Sequence, residues 1–418
     1  MKTDCSACAP LAKPRSAEVG KSRARPVVRH LYVHIPFCAR ICPYCAFYKE
    51  RADPAQTQRF CEALLRELET LRADFEIEPE TIFFGGGTPT ALSTAQLDYL
   101  LGCFRERLDC SQLVEWTMEA NPGSVSPRKA ALLRELGVTR VSLGVQSWDD
   151  ELLGVLGREH DAAQAEASFQ ILREAGLTNV NIDLMFGLPG QSLGQWEATL
   201  GRTVALAPEH VSAYALTLDR ESLAEEVPLA RQLARGEVTL PSEDRQVEMS
   251  DGLQDVLGRA GLARYEISNH ARPGFHSRHN TLYWTGGEYL ALGVGATGLL
   301  YEKPRVVPDS APERALRFTN LRSTEKYLAA VEAGRLPEGS SETLGRQELF
   351  EERMAMGLRL VEGLEVASVC NAFGMDPSTR LRELARFISD GFVVERGGRF
   401  ALTRKGAHLH SSLSARLI

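Results

Sequence analysis

Apolar and polar positions alternate along the chain in two rhythms. Short apolar runs at 31–35, 81–84, 114–119, 139–145, 179–184 and 210–216 have the length and β-branched or aromatic content of strands. Between them, segments 56–71, 95–108, 127–135, 162–175 and 193–205 carry apolar residues at helical spacing; Leu64, Leu65, Leu68 and Leu71 form one such stripe. Strand and helix in strict alternation predict a parallel sheet with crossover helices. Six units fall short of the usual eight-fold closure, so the fold class expected is α/β, a partial (β/α)6 barrel.

The remainder divides less sharply. Residues 1–28 are polar and basic and predict a disordered tail, 29–218 the barrel, and 219–339 an extension. Residues 340–418 predict a small winged-helix-like α+β domain. Its helices are expected at 347–360 and 378–390, and its hairpin at 392–402 turns on Gly397-Gly398. The apolar, glycine-rich run from Tyr289 to Gly298 fits either a strand returning to the barrel edge or a plain core strand and turn. Ser242 before Glu243 and Asp244 reads as a helix N-cap, and Pro304, Pro308 and Pro312 mark a loop.

Composition narrows the class. Hydrophobic residues make up 44% and charged residues 25%, and the net charge is −7, which argues against a nucleic-acid binder. No apolar run reaches the roughly 18 residues that span a bilayer. The first residues lack a signal peptide's apolar core, and the nine cysteines are odd in number and unevenly spaced. The expectation is a cytoplasmic protein in a reducing compartment. Cys5 and Cys8 form a C-x2-C pair with no second pair to complete a metal site.

The chemistry concentrates where strands end. The first strand leads into Cys38-Ala39-Arg40-Ile41-Cys42-Pro43-Tyr44-Cys45. Three thiolates on one loop can hold three irons of a cubic cluster and leave the fourth iron without a protein ligand. A Cys3His zinc site completed by His34, or three unrelated thiols, fit the same spacing. The later strands end in Gly85-Gly86-Gly87-Thr88, Glu119-Ala120-Asn121, Gly144-Val145-Gln146 and Asp183. Each delivers glycine or polar residues to one rim, which core packing does not require. Glycines there admit close approach of a backbone to a ligand. Glu119 and Asp183 bring carboxylates to that rim, and Gln146, Arg158 and Tyr44 add an amide, a guanidinium and an aromatic ring.

The C-x3-C-x2-C spacing resembles the signature of the radical SAM superfamily. The runs LYVHIPFCARICPYCAFY, TIFFGGGTPT, WTMEANPGS, RVSLGVQSW, LGREH and NVNIDLMFGLPGQS resemble the branch that holds oxygen-independent coproporphyrinogen III oxidases and the HemW haem chaperones. The resemblance implies a [4Fe-4S] cluster on Cys38, Cys42 and Cys45, whose open iron chelates S-adenosylmethionine (SAM). It places Tyr32, Tyr44, Gly86, Gly87, Thr88, Glu119, Gln146, Arg158, Asp183 and Ala215 at SAM-contacting positions.

Within that branch, two activities differ. The oxidase pattern carries a further cysteine where this chain has Phe47, and an N-terminal segment that reaches its active site. His279-Asn280-Thr281-Leu282-Tyr283-Trp284 instead reproduces the H-N-x-x-Y-W motif of the chaperones. The implied function is a haem chaperone that delivers haem to acceptor proteins, respiratory ones among them, with an electron donor for the cluster. The alternative is radical decarboxylation of two propionates of coproporphyrinogen III. His279 is the implied haem ligand, with His270 and His276 as nearby substitutes. Ala46 and Ser277 stand where relatives usually have Asp and often have Cys. Monomer and dimer both remain open.

Overall fold

The computed structural model describes residues 25–218, 227–302 and 311–418. The Cys5–Cys8 pair, most of the basic tail, and Pro304 and Pro308 lie outside the described residues.

Six strands follow in order: β1 (Val27–Ile35), β2 (Glu76–Gly86), β3 (Glu115–Ala120), β4 (Arg140–Gln146), β5 (Val180–Phe186) and β6 (His210–Ala215). Each pairs in parallel with the next. The connecting helices are α1 (Pro54–Asp74), α2 (Thr94–Arg107), α3 (Pro127–Glu135), the short α4 (Asp150–Val155) with α5 (Ala162–Glu174), and α6 (Leu193–Ala205). Their starts are locally encoded. Asp53 caps α1 ahead of Pro54, and Ser93/Gln96, Asp161/Gln164 and Ser192/Gln195 close capping boxes on α2, α5 and α6. Strand residues are buried on both faces, as a helix-covered parallel sheet requires. Leu64, Leu65, Leu68 and Leu71 join the main core with Leu31, Val33, Phe84, Met118 and Leu143.

The extension contributes α7 (Pro228–Ala234), α8 (Glu243–Arg259), β7 (Ala263–Arg264), β8 (Asn269–Ala271), α9 (Arg278–Trp284) and β9 (Leu290–Gly293). Ser242 caps α8 as expected, with its hydroxyl accepting from the Arg245 N–H at 3.3 Å. The run after Tyr289 does return to the barrel: β9 pairs in parallel with β1 on the edge away from β6. At the opposite edge β8 pairs antiparallel with β6 and then with β7. The full order is β9-β1-β2-β3-β4-β5-β6-β8-β7, an open sheet. Glu67 of α1, fully buried, secures the β9 edge by accepting from the Gly293 N–H (3.0 Å), Asn320 Nδ2 (2.7 Å) and the Tyr327 hydroxyl (2.6 Å).

A three-stranded antiparallel sheet follows: β10 (Thr297–Tyr301), β11 (Ala315–Asn320) and β12 (Glu338–Leu344), with α10 (Thr324–Glu332) between the last two. The C-terminal unit is winged-helix-like, with helices α11 (Arg346–Gly357), α12 (Val366–Phe373) and α13 (Ser378–Ser389). Its wing is the hairpin β13 (Val393–Arg396) and β14 (Arg399–Leu402). Gly397 and Gly398 both have positive φ, as the two-residue turn demands. Its core takes in Leu299 and Ala315, so the three-stranded sheet packs with this unit from well upstream of residue 340. No described helix is long and apolar enough to cross a membrane.

Candidate functional site

The cysteine loop leaves β1 and crosses the C-terminal ends of the barrel strands. Its middle is pinned from below: Pro43 O accepts the Leu229 N–H of α7 at 2.9 Å, and the Pro43 ring lies over Gly157. A Cβ at Gly157 would fall 2.7 Å from Pro43 Cδ. Lys49 Nζ donates to Cys45 O. All seven described cysteines are free thiols, and Cys38, Cys42 and Cys45 are half-buried.

Two of these sulfurs have polar company. Thr88 Oγ1 donates to Cys38 Sγ and Arg158 Nη1 to Cys42 Sγ, each at 3.6 Å. Burial pushes the Cys38 and Cys45 thiols up, and at Cys38 the Thr88 hydrogen bond works against that rise. Arg158 and Thr88 are joined through Asn121, whose Nδ2 donates to Thr88 Oγ1 (2.8 Å) and whose Oδ1 accepts from Arg158 Nη2 (2.7 Å). Arg158 Nη2 also reaches Gly144 O at 2.6 Å. Gln146 joins this group: a Cβ on Gly144 would meet Gln146 Nε2, Asn121 Oδ1 and Arg158 Nη2 at 3.0, 3.1 and 3.4 Å. The β4 bulge that places Gln146 there gives it a φ of 68°, a left-handed conformation rare outside glycine. Asn121, the bridge, was visible in the sequence only as one polar residue of a strand end.

The acids lie one layer deeper. Glu119 Oε2 accepts the Gly86 N–H at 3.1 Å, and burial, with Asp183 nearby, pushes Glu119 up to about 8. Asp183 is also raised by burial, although Ser142 Oγ (3.0 Å) and Asn181 Nδ2 (2.7 Å) donate to it. Two proximate, desolvated carboxylates suit a cationic ligand. Tyr44 packs at the edge of the small apolar cluster of Leu152, Leu156 and Leu216, and Ala215 lies exposed at the end of β6.

The glycine run differs from its sequence reading. The space beside Gly86 is filled by the His34 imidazole, and that beside Gly87 by the Ile35–Pro36 backbone. The N–H groups of 86, 87 and 88 donate to Glu119, Ile35 O and Phe37 O. The glycines therefore let β1 and β2 close on one another.

His34 settles the zinc alternative. Its Nδ1 pairs with the Tyr32 hydroxyl and its Nε2 with Tyr48 O, both at 3.0 Å, and burial pushes it down to about 4. No ring nitrogen is left for a metal. Among the described residues no group of three His, Cys, Asp or Glu side chains converges on a single ion. Thiols that each bond a different iron of a cube need not converge, so an all-thiol donor set beside a guanidinium fits a cluster.

The second motif is on the barrel floor. Helix α9 sits with its N-terminus on the buried Glu115 carboxylate, which accepts from the Arg278 N–H (2.8 Å) and the His279 N–H (3.0 Å). His279 is fully buried, with Nδ1 paired to Thr81 Oγ1 and Nε2 to the Tyr283 hydroxyl, both at 2.8 Å. Its ring stacks on Phe83, and burial pushes it down to about 3. As folded, neither nitrogen is open to an iron, which departs from the sequence reading of His279 as a haem ligand. His276 stacks on Tyr265 at 4.1 Å, and His270 is buried on β8 across from Val211.

Comparison with known proteins matches this layout. A radical SAM superfamily model covers residues 32–202, and a HemN C-terminal domain model covers 344–409. "Heme chaperone HemW" of Lactococcus lactis subsp. lactis (strain IL1403) is 36% identical over 385 residues, 91% of this chain and 95% of that protein. "Heme chaperone HemW" of Escherichia coli (strain K12) is 32% identical, covering 92% and 96%. The solved structure of the Escherichia coli coproporphyrinogen III oxidase (HemN) superposes with a TM-score of 0.77 over 94% of this chain and 90% of that one. At 23% identity, this likeness speaks for the fold alone. On the near-full-length identity to those relatives, the chain belongs to the HemW haem chaperone family of the radical SAM superfamily.

Proposed function

We propose that the protein is a haem chaperone that binds a [4Fe-4S] cluster and SAM at the barrel rim and passes haem to acceptor proteins. The observation that supports the cofactor half is the loop of three half-buried free thiols, with Thr88 and Arg158 on two of the sulfurs. The chaperone half rests on relatives that carry that name over nine-tenths of the chain.

Cys38, Cys42 and Cys45 hold the cluster, whose fourth iron, when present, supplies an open coordination site and an electron to bound SAM. The chain's own groups do the rest. With the N–H groups of 86–88 engaged, the Gly86–Gly87 ledge offers carbonyl oxygens to the ligand's ammonium group. Glu119 takes the cationic end, and Gln146 and Arg158 orient the carboxylate and ribose. Asp183 accepts from a ribose hydroxyl, and Tyr32, Tyr44, Thr88 and Ala215 complete the wall.

The deciding experiment incubates the anaerobically reconstituted protein with coproporphyrinogen III, SAM and a reductant, and in parallel with haem and an apo-acceptor. Haem transfer without protoporphyrinogen supports the chaperone. Accumulation of protoporphyrinogen overturns it in favour of the oxidase.

A further inference from the structure

The cysteine loop also has an outer side. Phe47, 69% exposed, is the most exposed large apolar side chain among the described residues, and Ile41 on the same loop is 38% exposed. Phe47 is tied to the site, since its backbone N–H donates to the Cys45 sulfur. Cations stand around this apolar spot. Arg40 lies on the loop itself, and Arg51 pairs with Cys38 across a short parallel bridge. Lys49 Nζ donates to Cys45 O, and the stem of Arg322 lies with the base of the Tyr48 side chain against Gly295. Arg40, Arg51 and Arg322 are exposed and make no hydrogen bond or ion pair among the described residues. The nearby acids are committed: Glu50 accepts from the Tyr48 hydroxyl and Gln56 Nε2, and Asp53 from the first N–H groups of α1. Exposed Glu325 is offset by its neighbour Lys326. On a chain of net charge −7, this face runs against the trend.

We propose that this outer face docks the protein that reduces the cluster, an acidic one-electron carrier of the iron–sulfur or flavin class. The proposal rests on the cluster reading above. One electron leaves the reduced carrier and enters the oxidised cluster, and no bond or proton changes hands. Such a carrier must come close to the thiols, and Phe47, one hydrogen bond from Cys45, offers it contact beside a cluster ligand. Charge selects both the partner and the face: an acidic surface is drawn to Arg40, Arg51 and Arg322, while the chain's net negative charge repels it elsewhere. An apolar centre with a charged rim is the make-up of a protein contact. Electron-transfer encounters bury less than about 1,200 Å², so a loop and its neighbours suffice. In the segment before residue 25, lysine and arginine outnumber the acids, so its charge has the wrong sign for an occupant of this face.

The test uses the full-length, cluster-loaded protein and two acidic probes, a reduced plant-type [2Fe-2S] ferredoxin and a reduced flavodoxin. Freeze-quench electron paramagnetic resonance follows cluster reduction, and calorimetry gives the affinity. With at least one probe, the wild-type rate is expected to fall on the order of tenfold between about 20 and 200 mM salt. A rate that rises with salt, as repulsion by the whole chain dictates, overturns the proposal without any variant. Arg40→Glu, Arg51→Glu and Arg322→Glu together are expected to slow reduction about thirtyfold at low salt and to abolish its fall with salt. Phe47→Ala is expected to weaken binding about tenfold and keep the salt dependence. The methyl viologen radical cation, which needs no basic face, should reduce both variants at the wild-type rate. Iron and sulfide content equal to wild type shows that they are loaded. A triple variant reduced by either carrier as fast as wild type overturns the proposal, as does a wild type that neither carrier binds or reduces. If Phe47→Ala splits a dimer in sedimentation while carrier kinetics stay unchanged, the face belongs to a second copy of the chain. A wild type that holds no iron and sulfide removes the cluster reading and this face with it.

Discussion

The rim and the floor of the barrel each carry a sequence motif, and their hydrogen bonding is opposite in kind. On the floor, the polar groups around His279 close on partners: Glu115 on the helix N-terminus, Thr81 and Tyr283 on His279. On the rim, thiols are half-exposed and two buried carboxylates lie together, both held above the usual carboxylate range although Arg140 opposes the rise. A self-satisfied network builds shape, and one with an electrostatic deficit waits for a ligand. Motif residues alone do not tell the two apart; their partners do.

The sharpest break between the regions comes from the cysteines. Replacing Cys38, Cys42 and Cys45 together by Ala abolishes iron and sulfide content, while thermal unfolding stays near wild type because these side chains pack in no core. Glu115→Ala reverses that pattern. It leaves the N–H groups of Arg278 and His279 unpaired in the floor and lowers the unfolding free energy by about 3 kcal/mol in a denaturant titration. Iron loading at native conditions is retained. A Glu115 variant as stable as wild type removes the account of Glu115 as the anchor of the α9 N-terminus.

Two acids sharpen the comparison through pH. Burial pushes Glu67 up to about 7, so the folded chain keeps a proton that the unfolded chain gives up near 4.5. Its contribution to stability is full below that point and is lost as pH rises through 7, on the order of 3 kcal/mol across the window. Glu67→Gln flattens this slope in denaturation curves taken from pH 4.5 to 7.5. Glu119, up to about 8 without a ligand, must ionise to meet a sulfonium. SAM affinity of the cluster-loaded protein therefore climbs about fiftyfold from pH 6 to pH 8, and Glu119→Gln removes the dependence. Calorimetric titration at three pH values reads it directly.

Much of this was legible from the chain because the relevant signals are local. The barrel strands begin and end within a few residues of the apolar runs, with β1 and β2 extended at their starts by polar stretches such as Glu76-Ile77-Glu78. The rim followed from reading strand ends in order. What escaped depends on partners distant in sequence. Glu115 meets α9 across 163 residues and Asn121 meets Arg158 across 37, and no periodicity carries such pairings. Helix α12, eight residues stopped by the left-handed Gly374, is too short for a helical stripe to stand out. The glycine run shows the converse: its position was correct, but its missing side chains make room for His34 and the Ile35–Pro36 backbone.

The left-handed backbone of Gln146 has an evolutionary corollary. Glycine would relax that residue by about 1 kcal/mol, yet it would delete the amide that lies with Asn121 and Arg158 around Gly144. A Gln146→Gly chain should melt at a higher temperature and bind SAM less tightly. Selection for durability alone would erase this side chain, so its presence records a demand other than folding.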